Sequence, residues 1–321
     1  FYCCEKGQKK MNMTAQTAID TADFIIKKSK GKKVYIMWFG GEPLYNIESI
    51  NIICEALRKS NVQFTSNIVS NAYLFDADNI SLAKSYWNIK SVQVTLDGTE
   101  EIYNKTKSYI YKDNVNPFER VIDNIRLLAE NQIFVIIRLN VDLFNKDNLY
   151  QLVDYLYEMF GENKYVKIYA RMLFDNTSPL QINRSNDDRR KLYEEFSNFE
   201  NYIESKGLYK YQKLHSVYTG NKGCIGANKH GTIIMPDGKL GLCDIRTESY
   251  HYGDIYNGVT NQSVVDAFLE KKEPVNNCAT CPLVPNCFRL KSCLYYTREC
   301  EDYEQEKLLK DMSRYIRYTY E

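Results

Sequence analysis

The chain lacks a net charge to speak of: 42 Lys and Arg against 41 Asp and Glu leave +1 over 321 residues. That balance removes the electrostatic case for nucleic acid or an anionic membrane as partner. No run approaches eighteen apolar residues, which excludes a bilayer-spanning helix. The first residues hold no basic stretch followed by an apolar one, so no export signal is visible. A reducing cytoplasm is the expected compartment. There is no initiator methionine before Phe1-Tyr2-Cys3-Cys4-Glu5, which predicts coding sequence upstream. No internal repeat or low-complexity segment appears, and tryptophan is scarce, two against 27 tyrosines.

What is abundant is cysteine, and it is unevenly placed. Seven of ten lie in the last hundred residues: Cys224, Cys243, Cys278, Cys281, Cys287, Cys293 and Cys300. Four of them read C-x2-C-x5-C-x5-C. In a chain without an export signal, that spacing favours metal ligation over disulfides. Seven thiolates exceed one zinc site and suit two iron–sulfur clusters of about four thiolates each. A structural zinc ribbon with additional buried cysteines is the competing reading. Cys54 falls on an apolar helix face and is expected to be an inert core thiol.

The rest is an ordinary globular composition, 44% hydrophobic and 26% charged, long enough for about two domains. Apolar periodicity alternates between helix and strand for the first 175 residues. It predicts helices over 14–29, 47–60, 76–87, 117–131 and 146–160. Strands are predicted over 33–39, 62–70, 91–96, 134–141 and 166–173. Thr14 is a candidate N-cap, and Pro117 suits a first helical turn. Such alternation means an α/β fold with a parallel sheet covered by helices. Periodicity does not separate an open doubly wound sheet from a closed or partial barrel. A polar stretch over 175–186 precedes a charged amphipathic helix over 187–206. A hairpin is expected over 231–243, turning at Asp237-Gly238, and a charged helix over 301–318.

In parallel β/α folds, function gathers at the C-terminal ends of strands. Gly40-Gly41-Glu42-Pro43, Ser70-Asn71-Ala72, Thr95-Leu96-Asp97-Gly98, and Arg138 with Asn140 all fall there. Two glycines permit close backbone approach to a ligand, and Glu42 offers a carboxylate suited to an ammonium group. An ordinary strand-to-helix turn would read the same way.

Taken jointly, Cys3 before a helix, the strand–GGEP–helix unit, the β/α repeat and the cysteine tail resemble the radical S-adenosylmethionine (radical SAM) enzymes that carry a SPASM domain. Tyr2-Cys3-Cys4-Glu5 matches the end of that family's Cys-x3-Cys-x2-Cys signature, and its other two cysteines would lie upstream of Phe1. The tail follows the second signature, with x5 instead of x3 between Cys287 and Cys293. The resemblance implies a partial (β/α)6 TIM-like barrel, its first strand upstream of this chain, over 1–175. A helical bridge over 176–223 and a cysteine-rich SPASM domain with a β-hairpin and short helices over 224–321 would follow.

The resemblance also implies roles. Glu42, with Gly40, Gly41 and Pro43, would bind the methionyl amino group of S-adenosylmethionine. Asn71, Thr95 and Asp97 would line the same cofactor, as would Arg138 and Asn140. Arg138 could pair with the cofactor's carboxylate or form a structural salt bridge. Cys3 would ligate the radical-generating 4Fe–4S cluster. Cys224, Cys243 and Cys293 would hold one auxiliary cluster, with His230 or an open iron completing it. Cys278, Cys281, Cys287 and Cys300 would hold the other. Asp244, beside Cys243, would be a possible general base. The implied activity is maturation of a ribosomally made peptide through a thioether or carbon–carbon crosslink, with a flavodoxin or ferredoxin as electron donor. Formylglycine formation in sulfatases is the alternative, against which stands Leu290-Lys291-Ser292-Cys293 where that group carries Asn-Gly-Gly-Cys. A non-catalytic zinc- or cluster-binding protein is the reading from another class.

Overall fold

The computed structural model describes residues 10–107, 109, 114–173, 185–208, 225–227, 230–243, 251–270, 278, 280–281 and 302–320. The chain divides into two compact units. One draws on Ile25–Leu173 and Ser185–Gln212; the other draws on Tyr2–Phe24, Phe174–Arg184 and Lys213–Glu321.

Helix α1 (Ala15–Ser29) opens the described chain. Thr14 caps it, its Oγ1 accepting from the Thr17 amide at 3.1 Å. Five strands then alternate with helices: β1 (Val34–Trp38), α2 (Ile47–Lys59), β2 (Phe64–Val69), α3 (Ala77–Ser85), β3 (Ile89–Leu96), α4 (Glu100–Lys107), α5 (Pro117–Glu130), β4 (Phe134–Val141), α6 (Lys146–Phe160) and β5 (Val166–Met172). Helix α7 (Asn186–Ser205) follows and packs on β5. These elements match the periodicity within a few residues. The largest differences are of two residues: β2 begins two later than expected, α3 stops two earlier, at Ser85, and β3 begins two earlier, at Ile89. Asp76 is a cap there and not a helical residue, its carboxylate accepting from the Asn79 amide. Helix α4 was not anticipated.

All five strands are parallel, and they lie in chain order β1-β2-β3-β4-β5. A doubly wound sheet reverses order about a switch point. Sequential addition is the winding of a barrel wall. The two architectures that periodicity left open are thus separated by strand order.

Alternation assigns the two faces. Ile68, Val92, Val94, Leu96, Val135, Ile137, Leu139 and Ile168 are buried almost completely. Helices α3, α5 and α6 pack on β3 and β4 to cover this side. The opposite parity carries Thr65, Asn67, Gln93, Thr95, Arg138, Lys167 and Tyr169, all partly exposed. Direct register aligns Thr95 with Arg138 and Arg138 with Tyr169, so these stand side by side on one face. Tyr169 donates to Gln93 Oε1 at 3.0 Å across that face. One side of the wall is therefore a hydrocarbon core and the other a largely polar surface that also carries Tyr35, Met37 and Ile136.

The second unit holds a small antiparallel sheet of β6 (Ile233–Ile234), β7 (Lys239–Gly241), β8 (His251–Asp254) and β9 (Gly258–Val259). The β6–β7 hairpin turns at Asp237-Gly238 as expected. Gly238 adopts φ +83°, a conformation open to glycine, and donates to the Met235 carbonyl at 2.9 Å. Helix α8 (Gln262–Leu269) seats Phe268 in a compact core with Leu240, Leu242, Cys243, Tyr252 and Ile255. The β8–β9 hairpin and α8 had no clear periodic signal, being only two to eight residues long. Helix α9 (Asp302–Tyr320) ends the described chain. No described helix is long and apolar enough to cross a membrane.

Candidate functional site

The C-terminal rim of the sheet has two corners. At the first, β1 runs into Gly40, which adopts φ +151°, a value side chains rarely allow. The turn delivers Glu42 as the cap of a short 3-10 helix, Pro43–Asn46, with Pro43 in its first turn. Glu42 is partly buried and accepts three hydrogen bonds: from the Leu44 amide at 3.1 Å, the Ser70 hydroxyl at 2.9 Å and the Asn71 amide at 2.7 Å. The last two come from the end of β2, so the carboxylate ties neighbouring strand ends together. All three donors are neutral, and no cation pairs with Glu42 among the described residues. Desolvation outweighs the donors and raises its pKa above the usual carboxylate range.

The β2 end is itself held firmly. Asn71 Oδ1 accepts from the Tyr73 amide at 2.8 Å, and Ser70 Oγ from the Ala72 amide at 3.0 Å. Ala72 sits at φ +62°, which a β-carbon disfavours. Helix α5 stabilises it there, with Asn124 donating to the Ala72 carbonyl at 2.8 Å and Arg120 to the Tyr73 carbonyl at 3.1 Å.

The second corner joins β3 and β4. Asp97 is 3% exposed. Lys107, from α4, lies 2.8 Å from its Oδ2, and Asn140 donates to its Oδ1 at 3.4 Å. Arg138 Nε donates to Asn140 Oδ1 at 2.8 Å, and among the described residues no carboxylate pairs with that guanidinium. Asn145 supports the corner from below, donating to the Asn140 carbonyl at 2.9 Å. Gly98 is needed for close approach: a β-carbon would stand 2.4 Å from Asn148 Oδ1 and 2.7 Å from Ile102. Asn148 uses that oxygen to accept from the Thr99 amide at 2.7 Å.

A phenol pair stands near both corners. Tyr103 of α4 and Tyr109 share a hydrogen bond of 2.8 Å. Burial raises the pKa of each, and the charges of Glu42 and Asp97 both add to the shift. Tyr109 packs against Tyr73 beside the first corner, ring centroids 5.1 Å apart, and Lys107 of the second corner lies 5.7 Å from the Tyr103 ring.

The structure therefore gathers Gly40, Gly41, Glu42, Pro43 and Asn71 at one corner, and Thr95, Asp97, Arg138 and Asn140 at the other. Reasoning from sequence overlooked Lys107, Tyr103 and Tyr109. Tyr103 and Lys107 stand one turn apart on the eight-residue α4, and Tyr109 lies just beyond it. Among the described residues, one corner has a carboxylate without a cation and the other a guanidinium bonded to Asn140 but to no carboxylate, a pairing that suits a ligand carrying both an ammonium and a carboxylate.

The expected cluster ligands divide differently. Cys3, Cys224, Cys287, Cys293, Cys300 and Asp244 lie outside the described residues. Cys243 is 6% exposed in the second unit's core. Cys278 and Cys281 are partly exposed, joined by a Cys281 amide bond to the Cys278 carbonyl of 3.2 Å. His230 is exposed. Among the described residues no three His, Cys, Asp or Glu side chains form a metal-binding group. Cys54 is fully buried, and desolvation pushes its thiol up to about 12, in keeping with an inert core residue.

Comparison with known proteins bears on the fold and the rim alike. Over 307 residues the chain is 25% identical to the radical SAM cyclopropyl synthase TigE of Paramaledivibacter caminithermalis, covering 88% of this chain and 60% of that protein. The chain thus spans less than two thirds of that relative's length. A solved structure of anSMEcpe with bound AdoMet aligns at TM-score 0.70 and 17% identity, covering 98% of this chain and 88% of that one. Streptococcus suis SuiB bound to precursor peptide SuiA aligns at TM-score 0.62 and 15% identity, covering 89% of this chain and 67% of that one. At such identities these structures establish the shared fold alone. Residues 1–156 match the family model of the Radical SAM superfamily. The sequentially wound parallel sheet and its GGEP turn agree with that match, and over these residues, just under half of the chain, the protein is similar to the Radical SAM superfamily.

Proposed function

We propose that this chain forms part of a radical SAM peptide-modifying enzyme, and that it crosslinks a ribosomally made peptide through a thioether or carbon–carbon bond. The observation that carries the cofactor assignment is Glu42, a partly buried carboxylate with three neutral donors and no cation among the described residues. Its place at a GGEP turn on the sheet's rim suits the ammonium of S-adenosylmethionine. Bound together, S-adenosylmethionine and a reduced 4Fe–4S cluster supply a 5′-deoxyadenosyl radical able to take hydrogen from an unactivated C–H bond.

In this reading Gly40 and Gly41 bring backbone close to the methionyl group, and Pro43 sets the turn. Asn71, Thr95, Asp97 and Asn140 line the remainder, and Arg138 receives the carboxylate. The polar wall face offers hydrogen-bonding groups to substrate, while the helix-covered face excludes water. Cys3 supplies one thiolate of the radical-generating cluster. Auxiliary clusters rest on Cys224, Cys243 and Cys293, with His230 a further candidate, and on Cys278, Cys281, Cys287 and Cys300. Asp244 serves as a candidate base. The barrel, bridge and SPASM divisions fall at 1–175, 176–223 and 224–321. A cytoplasmic flavodoxin or ferredoxin provides the electron. The peptide assignment draws support from SuiB, whose structure holds a precursor peptide.

The test is anaerobic purification of the full-length gene product. Brown protein containing iron and sulfide, forming 5′-deoxyadenosine with dithionite, is expected. Glu42→Gln should weaken S-adenosylmethionine binding about tenfold or more, since a charge-assisted hydrogen bond becomes a neutral one. Colourless, zinc-containing protein that leaves the cofactor intact would defeat the proposal. Formylglycine production on a sulfatase peptide, with no crosslink in any precursor, would replace the peptide-crosslinking assignment.

A further inference from the structure

The two rim carboxylates differ in one respect that the family assignment does not explain. Asp97 has a cation, Lys107, at 2.8 Å, and Glu42 has none among the described residues. Lys107 comes from α4, reaches inward past the Tyr103 ring at 5.7 Å, and is 23% exposed. It is thus committed to a nearly buried partner and is no freely solvated surface lysine. The hydrogen-bonded Tyr103–Tyr109 pair bridges the two corners: Tyr109 packs on Tyr73 at 5.1 Å on one side and Tyr103 faces Lys107 on the other, and the charges of both carboxylates raise both phenols.

We propose that Lys107 is a positioning residue that sets the charge of the cofactor site. By neutralising Asp97 it leaves Glu42, of the two corner carboxylates, the one without a cation among the described residues, so a cationic ligand docks its ammonium there and in one orientation. This deepens the reading of a S-adenosylmethionine site and rests on it. Without Lys107, the rim would present two anions to a ligand that carries both a sulfonium and an ammonium. Its cationic groups could then be drawn to either corner. The neutral asparagine that also touches Asp97 cannot replace a full charge.

The test compares two ligands of the same shape and different charge. S-adenosylmethionine has a sulfonium; S-adenosylhomocysteine has a neutral thioether. Dissociation constants for both are measured by calorimetry on the anaerobically purified full-length protein near pH 8. Removing Lys107 adds one net negative charge to the rim. Lys107→Met should therefore shift the ratio of affinities about tenfold toward the sulfonium, the scale of one unit charge about a nanometre away in a medium of effective dielectric near 20. Lys107→Arg should preserve the wild-type ratio. Adding Asp97→Asn to Lys107→Met should bring it back, because the added charge is gone. A lysine with a merely structural role would weaken both ligands alike and leave the ratio unmoved.

Lys107→Gln carries the same charge change should the methionine variant fail to fold. An unchanged ratio in the folded neutral variant, or a shift that persists in the double variant, would overturn the proposal while wild-type binding stands. Failure of the wild-type protein to bind either ligand would instead sink the cofactor reading itself, and this proposal with it.

Discussion

The two corners of the sheet's rim solve the same problem by opposite means. Each must hold a carboxylate away from bulk water. At the β1–β2 corner, Glu42 is surrounded by neutral hydrogen-bond donors, and its pKa rises because those bonds do not repay desolvation. At the β3–β4 corner, Asp97 is deeper and has an ammonium beside it. A carboxylate kept without a cation is costly to the fold and available to a ligand. A carboxylate already paired contributes to the fold and is less available. The contrast leaves the Glu42 carboxylate available to a ligand's cation and commits the Asp97 carboxylate to the fold.

The strongest way to break that contrast is Asp97→Asn. It strands Lys107 against a neutral partner and should lower unfolding free energy by about 2 kcal/mol, discounted from the cost of a fully buried pair because Lys107 is partly exposed. Chemical denaturation measures it, and a loss no larger than that of Glu42→Gln would erase the distinction. Gly98→Ala should cost roughly 1–2 kcal/mol by overpacking against Asn148 and Ile102. Its effect belongs to the second corner, so a thermal shift without weakened fit at Glu42 is the expected pattern.

The smallest effect is the pH dependence of Glu42. A raised folded-state pKa means that its stabilising contribution is present below the unfolded value, about 4.3, and is lost as pH rises through the folded one. The stability of wild type relative to Glu42→Gln should accordingly fall on going from acid to neutral pH, by less than about 1 kcal/mol after allowing for partial exposure. A difference that is flat with pH would show that the donors from Leu44, Ser70 and Asn71 balance burial, and one that grows toward neutrality that they outweigh it. Native alkylation offers a control remote from both corners: Cys54, buried and raised to about 12, should stay unmodified until the protein unfolds.

Legibility followed length and periodicity. Long elements with a clear apolar stripe, such as α5 with Phe118, Val121, Ile122, Ile125 and Leu128 buried, were readable to within a residue. Strand-end motifs pointed correctly to the rim, because a parallel β/α sheet brings all its C-terminal ends to one side. The eight-residue α4 was not readable. It has one buried residue, Tyr103, and so no stripe to detect. The β8–β9 hairpin and α8 were missed for the same reason, being too short for a period to repeat.

Local pattern, then, was enough to determine the order of helices and strands, the GGEP turn and the concentration of cysteine toward the C-terminus. These depend on neighbouring residues and on backbone chemistry such as the φ preference of glycine. Strand order, the division of the wall into an apolar and a polar face, and the partner of each carboxylate were decided only in three dimensions. Lys107 meets Asp97 because a helix folds back over a strand end, and a charge pair made by that return has no signature in spacing along the chain.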